Sequence, residues 1–287
     1  MAPLRAGLIG LGRMGKAMAS RLKAQGVELH AWNRTLTKAR ELDVLLSDTP
    51  AALISKADTI ILSLYDSAAV REVLTMRHGA LSADLKGKTI IDTTTNHWNE
   101  VLSFHSILSG RGANYLESPV LGSIVPAMTG SLTMLVSGEE ASYRRALPVI
   151  EKLCADIFFL REPGLATRMK LLNNLLLASF MATIAEALSL GEKAGLDRAL
   201  SLDIFSKGAG ASAVLDAKRE KVLKNDYGAH FKCSLMYRDL HNLQDMARAL
   251  KTPVFTAGVV KELFALTLSR GWGEEDFSAV FKAIKNL

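Results

Sequence analysis

Apolar and polar positions alternate along the first 160 residues in a way that favours short buried strands connected by amphipathic helices. Short apolar runs predict strands at residues 4–10, 28–32, 59–64, 89–92, 115–120, 132–137 and 157–160. Periodic segments predict helices at residues 10–26, from Ser67, from Asn96 and at residues 140–153. This alternation is typical of an α/β fold with a doubly wound, mostly parallel sheet.

A different pattern begins with a long helix predicted over residues 164–195, in which residues 171–190 are apolar on every face. A helix that is apolar all round must be covered by protein or by lipid. Its longest stretch without a charge or an asparagine, residues 175–185, is shorter than the roughly 18 to 20 residues that span a bilayer. We therefore expect a buried core helix and no membrane association. Further apolar periodicity predicts an all-helical remainder, with helices at residues 200–205, 235–250, 254–268 and 277–284.

These patterns predict two domains that share the long helix, an α/β domain at residues 1–162 and an all-helical domain at residues 163–287. The second domain is too small to cover every face of so apolar a helix. We therefore expect a second subunit to cover part of this helix, in a homodimer or a homotetramer.

The composition narrows the class of protein. The net charge of +6 is spread along the chain, and the densest basic run, residues 218–221, is interrupted by Glu220, so we interpret it as a solvated helix face rather than a nucleic-acid site. Two cysteines without close spacing indicate a reducing compartment. The six histidines form no cluster with metal-ligand spacing, so no metal is expected. The chain enters a strand almost at once, which leaves no room for a targeting peptide and predicts a cytoplasmic protein.

The turn after the first strand carries a glycine pattern, which consists of Gly10, Leu11, Gly12, Arg13, Met14 and Gly15. A Gly-x-Gly-x-x-Gly pattern alone is a weak signal, but here a strand precedes it, a helix follows it and a second strand comes at βαβ distance. The glycines allow a tight turn and a close approach of backbone amides to a pyrophosphate at the helix N-terminus. The sequence therefore predicts a Rossmann-type dinucleotide site.

The end of the second strand indicates which dinucleotide is used. NAD sites usually have an acidic residue there for the ribose 2′-hydroxyl, whereas a 2′-phosphate favours arginine. This chain has Asn33, Arg34 and Thr35, with Lys38 one turn further on. Arg34 offers a planar fork of donors that suits a phosphate. We therefore predict NADP(H) rather than NAD(H), with these four residues at the cofactor. The alternative is a solvated arginine on a loop.

Other candidate residues follow the carboxyl ends of later strands, where ligands of such sheets bind. Leu64 and Tyr65 are placed to cover the adenosine. Thr93, Thr94 and Thr95 put three hydroxyls at the mouth of the site, although a threonine run also serves as a turn or helix cap. Residues 122–130 are predicted to form a loop, because glycine and proline punctuate them.

Lys170 and Asn174 lie four residues apart near the start of the long helix and therefore on one face of it. A cation in the first turns opposes the positive end of the helix dipole, which should make the ammonium easier to deprotonate. This property suits a general acid or base. The alternative is a solvated lysine at a helix start beside a capping asparagine.

Taken in order, these motifs resemble the β-hydroxyacid dehydrogenase family, which includes 3-hydroxyisobutyrate dehydrogenase and glyoxylate or succinic semialdehyde reductases. The matching segments span nearly the whole chain and are residues 10–19, 92–95, 119–123, 170–174 and 238–240. The resemblance implies that Lys170 is the catalytic acid/base and that Asn174 acts beside it. It also implies that substrate is held by Thr94, Thr95, Gly122 and Ser123, and that Thr95 and Arg238 belong to the cofactor site.

The function that this resemblance implies is NADPH-dependent reduction of a small carboxylated aldehyde or ketone, of the 3-hydroxyacid, succinic semialdehyde or glyoxylate type. We expect the substrate between the carboxyl edge of the sheet and the long helix, with Lys170 as proton donor. Within the family, the chain looks most like the NADPH-dependent glyoxylate and succinic semialdehyde reductase branch. Leu121, Ile124 and Val125 make the pocket mouth more apolar than in that branch. Arg238 replaces a customary lysine and residues 96–98 replace a turn that usually contains proline, so the exact substrate stays open. Two alternatives are an imine reductase on the same scaffold, which usually lacks the lysine, and a non-catalytic NADP-binding assembly module.

Overall fold

The computed structural model describes residues 4–35 and 42–287. Lys38, which the sequence places at the cofactor, lies outside the described residues. The chain divides into two compact units, Met1–Lys170 and Leu171–Leu287. The division falls inside the long helix, whereas the sequence placed a boundary at residue 162.

The first unit is built on one sheet, to which the described residues contribute nine strands. These are β1 (Arg5–Ile9), β2 (Glu28–Trp32), β3 (Leu45–Leu46), β4 (Thr59–Leu62), β5 (Thr89–Asp92), β6 (Asn114–Glu117), β7 (Val120–Leu121), β8 (Leu132–Ser137) and β9 (Cys154–Arg161). Their order is β3-β2-β1-β4-β5-β6-β8-β7, with β9 paired to β8. Strands β1 to β6 run parallel and β8 is antiparallel to β6. The predicted doubly wound α/β fold is confirmed.

Helices cover both faces of this sheet. They are α1 (Arg13–Ala24), α2 (Pro50–Ile54), α3 (Ser67–Thr75), α4 (Trp98–Ser109), α5 (Ile124–Thr129) and α6 (Glu140–Ile150). Successive strand residues point to opposite faces, so Ile61 joins a core with α1 and α6, while Ile60 joins a core with α3 and α4. The strands read as continuous apolar runs because both of their faces are buried.

The strand predicted at residues 115–120 is in fact two strands, β6 and β7. Pro119 lies between them and has no N–H to donate, and the Ser118 N–H bonds to the Asp92 carbonyl at 2.7 Å. The loop predicted at residues 122–130 contains the short helix α5. Neither β3 nor α2 was predicted, because elements of two and five residues are too short to show a period.

Smaller corrections concern where elements begin and end. The strand predicted at residues 59–64 ends at Leu62, and the helix predicted from Asn96 begins at Trp98. His97 sets that later start, because its Nδ1 accepts a hydrogen bond from the Asn99 N–H at 3.3 Å. By contrast, β2, β5 and β8 match their predicted bounds.

The second unit and the helix that leads into it contain only helices among the described residues. They are α7 (Leu165–Lys193), α8 (Arg198–Lys207), α9 (Ala213–Lys224), α10 (Cys233–Ala249), α11 (Phe255–Ser269) and α12 (Val280–Lys285), the last preceded by a 3-10 turn at Phe277–Ala279. The predicted all-helical remainder is confirmed. Helix α9 was missed, because its charged residues obscure the apolar period.

The interpretation of the basic run in α9 as a solvated face is wrong for its two lysines. Lys218 and Lys221 are both buried. The Lys218 ammonium lies 2.9 Å from the Asp276 carboxylate, and the Lys221 ammonium donates to the Gly228 carbonyl at 2.5 Å. Asp276 also accepts the backbone N–H groups of His230 and Phe231, so these charges anchor the segment between α9 and α10.

Helix α7 is buried along one face only. Met169, Leu172, Leu176 and Phe180 are 42%, 45%, 52% and 44% exposed and form a stripe at spacings of three and four residues. A single chain therefore leaves part of this helix uncovered, and its cover by a second subunit stays a prediction. Among residues 4–35 and 42–287, α7 is the one helix long and apolar enough to cross a membrane by length and composition, a property that core helices of soluble proteins share.

Candidate functional site

The glycine loop between β1 and α1 has the shape of a phosphate cradle. Gly10 has a φ of +100°, and a Cβ on Gly15 would lie 1.9 Å from the Gly10 carbonyl oxygen, so both positions require glycine. A Cβ on Gly12 would meet no atom within 4 Å. Gly12 caps α1 without a side-chain hydrogen bond, which leaves the helix N-terminus to an anion. The loop therefore fits the pyrophosphate of a dinucleotide, and Arg13 and Met14 lie in the first turn of α1.

Asn33 ties the end of β2 to this loop. Its Oδ1 accepts the Leu11 N–H at 2.8 Å, and its Nδ2 donates to the Thr35 carbonyl at 2.8 Å. Both polar ends of the Asn33 side chain, and the Leu11 amide, are thus engaged within the protein. Asn33 and Leu11, both predicted at the cofactor, hold the loop in shape.

Arg34 follows directly and reaches into solvent, with its side chain 76% exposed. Its Nη1 lies 3.1 Å from the Glu72 carboxylate of α3, a residue that the sequence analysis did not place in the site. A guanidinium has five donors, so this single contact leaves others for a phosphate. Arg34 and Thr35 are therefore exposed on the surface directly after Asn33, the residue that bonds to the glycine loop.

The carboxyl ends of β4 and β5 are joined by hydroxyl contacts. Thr94 is buried, and its Oγ1 accepts the Leu64 N–H at 3.1 Å, while the Thr93 hydroxyl donates to the Leu62 carbonyl. Thr95 is only half-buried, and its hydroxyl has no hydrogen-bond partner in the part of the chain that the structure describes. Of the predicted threonine pair, Thr95 is therefore the better placed to meet a ligand. Tyr65 is exposed at the same edge.

Asp92, the last residue of β5, holds the loop of residues 93–97 in place. Its fully buried carboxylate accepts the Thr94 N–H at 2.9 Å, the Asn96 side-chain amide at 2.8 Å and the Tyr115 hydroxyl at 2.7 Å. Burial raises the pKa of Asp92, although these three donors oppose the shift. Asp92 was assigned no role from the sequence. The available signal was an acidic residue that ends a buried apolar strand.

Glu117, the last residue of β6, is the corresponding anchor of α7. Its buried carboxylate accepts the Ala166 N–H at 3.1 Å and the Thr167 hydroxyl at 2.9 Å. Burial raises the pKa of Glu117, and the hydrogen bonds from α7 oppose the shift. Lys170 follows one helical turn after Ala166 and is only 8% exposed. The interpretation of Lys170 as a solvated helix-start residue is therefore wrong, and Glu117 is a second residue that the sequence analysis missed.

Gly122 and Ser123 lie where β7 leads into α5. Gly122 has a φ of +116°, and a Cβ there would lie 2.9 Å from the Leu132 side chain, so the tight turn requires glycine. Ser123 precedes α5 and is half-buried, without a side-chain capping bond. Val125 and Met128 of α5 are exposed apolar residues. This surface is consistent with the expected apolar mouth.

In the second unit, Asn174 is fixed by Asp239 of α10. The Asn174 Nδ2 donates to Asp239 at 2.7 Å, and the Asn174 Oδ1 is buried without a hydrogen-bond partner among the described residues. Asp239 also accepts two guanidinium hydrogen bonds from Arg238, at 3.0 and 2.7 Å. The amide of Asn174 thus presents an acceptor, and the Arg238 guanidinium binds Asp239. Asp239 was missed although it stands in the motif of residues 238–240.

No described set of side chains forms a metal site. Within residues 4–35 and 42–287, no group of three or more His, Cys, Asp or Glu side chains is placed to hold an ion. Cys154 and Cys233 are both buried free thiols, and burial raises the pKa of each to about 12.

Family models match the chain in two consecutive parts. Residues 5–160 match the NAD-binding domain of 6-phosphogluconate dehydrogenase, which is more than half of the chain. Residues 164–284 match a model described as NAD-binding of NADP-dependent 3-hydroxyisobutyrate dehydrogenase.

Similar proteins agree with these matches. Glyoxylate/succinic semialdehyde reductase 1 of Arabidopsis thaliana is 32% identical over 98% of this chain and 99% of its own length. The solved structure of Psf3 in complex with NADP+ and 2-OPP is 28% identical, with a TM-score of 0.89 over 97% of this chain and 99% of that one. An imine reductase of Streptomyces aurantiacus, 23% identical with a TM-score of 0.67 over 98% of this chain and 99% of that one, shares the fold. Together with the cradle at α1, these matches show that the chain belongs to the β-hydroxyacid dehydrogenase family of NADP-dependent oxidoreductases.

Proposed function

We propose that the protein reduces a small carboxylated aldehyde or ketone to a hydroxyacid, with NADPH as reductant and Lys170 as general acid. One observation carries the proposal. Lys170 is a nearly buried lysine in the first turns of α7, and Glu117 anchors those turns to the carboxyl end of β6. Ligands of doubly wound sheets bind at that end of the strands. Burial of a lysine is costly, and its place at the ligand-binding end of the sheet distinguishes Lys170 from the equally buried Lys218 and Lys221 of α9, which anchor a segment of the second unit.

In this mechanism NADPH, when bound, supplies the hydride that reaches the carbonyl carbon. The carbonyl oxygen gains negative charge, and the Lys170 ammonium donates a proton to it, which yields the hydroxyl group. In the reverse direction the Lys170 amine accepts that proton. Asn174 comes one helical turn later on α7 and offers its Oδ1 as an acceptor for the hydroxyl. One of the two N–H groups of its amide nitrogen is donated to Asp239, which fixes the orientation of the side chain.

The substrate's carboxylate is assigned to Thr95 and to the turn at Gly122 and Ser123. The Thr95 hydroxyl is free to donate, and the Ser123 side chain does not cap α5. The name of the Arabidopsis thaliana relative mentions glyoxylate and succinic semialdehyde, both of which carry a carboxylate next to or near an aldehyde. These two compounds are therefore the first substrates to test.

We expect succinic semialdehyde to exceed butanal by at least about tenfold in kcat/KM, because a hydrogen bond to a charged group contributes about 1.5 to 3 kcal/mol. Steady-state NADPH oxidation at neutral pH measures this ratio. Ser123→Ala should reduce the preference, whereas Ser131→Ala should leave it intact, because the Ser131 hydroxyl is paired with Thr129 at 2.8 Å. Equal kcat/KM for the two aldehydes in the native protein would show that no carboxylate site exists.

Two alternatives have weaker support. The likeness to imine reductases extends to the fold alone, and such enzymes usually lack the lysine present here at position 170. A non-catalytic module would have no need of a buried lysine at the ligand-binding end of the sheet, and the relatives are named as reductases and dehydrogenases. Adding a cyclic imine to the substrate panel distinguishes imine reduction, because only that activity would consume NADPH with the imine.

We also propose that a second copy of the chain covers the exposed stripe of α7, in a homodimer or homotetramer. The stripe is a narrow line of large apolar side chains, and burying each contributes about 1.5 to 3 kcal/mol. A bilayer would instead require apolar residues on all faces, yet the face opposite the stripe carries the buried polar residues Lys170 and Asn174. A two-fold axis would bring the same stripe from both copies together.

Light scattering after gel filtration should therefore give a mass at least twice the 31.1 kDa of one chain. Leu176→Glu should shift the mass towards one chain, because it puts a charge in the middle of the stripe. Leu46→Glu on β3, at a position of similar exposure, should leave the mass unchanged. A native protein that runs as a single chain at micromolar concentration, or that binds lipid vesicles, would reject this assembly.

A further inference from the structure

Two buried carboxylates end neighbouring strands of the sheet. Asp92 and Glu117 are register partners on β5 and β6, and they are 0% and 1% exposed. Neighbouring strands lie about 4.8 Å apart, so the two residues are neighbours on the sheet at the edge where ligands of such sheets bind. Burying a carboxylate is unfavourable, and the sheet buries two of them here. A sheet needs no such pair for its stability, so the pair calls for another explanation.

Asp92 controls the loop that carries Thr95. Its carboxylate accepts the backbone N–H of Thr94 and the side-chain amide of Asn96, the residues on either side of Thr95. Asn96 in turn contacts the Ser67 hydroxyl of α3 at 3.0 Å. The backbone at Thr95 is therefore held between two anchors, which fixes the point from which its half-buried side chain projects.

Glu117 controls the helix that carries Lys170. Its carboxylate accepts the Ala166 N–H and the Thr167 hydroxyl, which lie four and three residues before Lys170. Ser137 of β8 shares the Ala166 N–H at 3.1 Å. Lys170 is thus held one helical turn away from a rigid connection to the sheet.

We propose that Asp92 and Glu117 are positioning residues for the reaction, with Asp92 fixing Thr95 for substrate binding and Glu117 fixing Lys170 for proton donation. This inference rests on the proposed function. Misplacing a catalytic group by about 1 Å can reduce the rate about 10²-fold, so rigid anchoring has a direct kinetic consequence. Carboxylates suit this role because every neighbour that contacts them is a donor, and charge-assisted hydrogen bonds are short and strong.

The two residues should differ in which kinetic constant they control. Glu117→Gln turns one acceptor into a donor that faces the donors of α7, so kcat should fall about 10- to 100-fold with little change in KM. Asp92→Asn does the same at the Thr95 loop, so KM for the carboxylated substrate should rise about tenfold while kcat changes less than threefold. NADPH binding, measured by fluorescence, should be retained in both variants.

Ser118→Ala is the matched control, because Ser118 is fully buried beside Glu117 and its hydroxyl donates only to the Leu116 carbonyl. Its thermal midpoint should fall without a selective change in kcat or KM. If Glu117→Gln does not fold, Thr167→Val replaces it. Thr167→Val should lower kcat several-fold, and Thr167→Ser, which keeps the hydroxyl, should restore it.

Kinetics of both carboxylate variants that resemble those of Ser118→Ala would overturn the positioning role and leave the proposed function intact. Normal kcat in Thr167→Val would do the same for Glu117. If the native protein oxidises NADPH with none of the carbonyl compounds tested, the proposed function is rejected, together with the inference built on it. The kinetic behaviour of the native protein therefore separates the two failures.

Discussion

Replacing Arg34 by alanine is expected to lower kcat/KM for NADPH at least about tenfold and to leave kcat/KM for NADH nearly unchanged. A charge-assisted contact with a phosphate is worth about 1.5 to 3 kcal/mol, and about 1.4 kcal/mol corresponds to a factor of ten. Glu72 competes for the same guanidinium, which places the expected effect towards the lower end of that range. NADH has no 2′-phosphate and loses no such contact. Steady-state kinetics with both cofactors at a fixed substrate concentration measures the change.

Arg144→Ala provides a matched control for Arg34→Ala. Arg144 is a similarly exposed arginine, 72% against 76%, and it also pairs with a glutamate on the surface. Its replacement should leave the cofactor preference unchanged. Arg34 does not bind the 2′-phosphate if the native protein has the same kcat/KM for NADH and NADPH. The same conclusion follows if Arg34→Ala lowers both values by the same factor.

Much of the sheet could be predicted because its strands are short apolar runs that end at turn residues. β2, β5 and β8 were predicted with their observed bounds for this reason. Helix α9 could not be predicted in the same way, because Lys218 and Lys221 count as polar in any periodic pattern. They are buried only because Asp276 and Gly228 supply partners from elsewhere in the fold.

In the candidate site, too, local features could be predicted from the sequence, whereas roles that depend on distant partners could not. The shape of the glycine loop could be predicted, because it is a local feature of the sequence, and the role of Arg34 at the 2′-phosphate stays a prediction from the same local pattern. Asp92, Glu117 and Asp239 were missed as site residues, because their roles depend on distant partners. Glu117 lies 49 residues before Ala166, and Asp239 lies 65 residues after Asn174. No local pattern connects such pairs, although each acidic residue stood inside or beside a predicted motif.

Replacing Lys170 by alanine should lower kcat about 10²- to 10⁴-fold, which is the usual contribution of a general acid. NADPH affinity should barely change, because we assign the phosphate contacts to the glycine loop and Arg34. Lys170→Arg should restore little activity, since a guanidinium holds its proton too tightly to act as an acid near neutral pH. Lys193→Ala, at the exposed far end of α7, is the control and should keep full activity, with a stability change within about 0.5 kcal/mol.

The most direct test of the account compares kcat with NADPH binding in Lys170→Ala and in the native protein. Binding is measured by NADPH fluorescence, and kcat by NADPH oxidation with the best carboxylated aldehyde. The account predicts unchanged binding and a kcat reduced at least about 10²-fold. Unchanged binding with undiminished kcat would contradict the assignment of Lys170 as the proton donor and, with it, the mechanism proposed here.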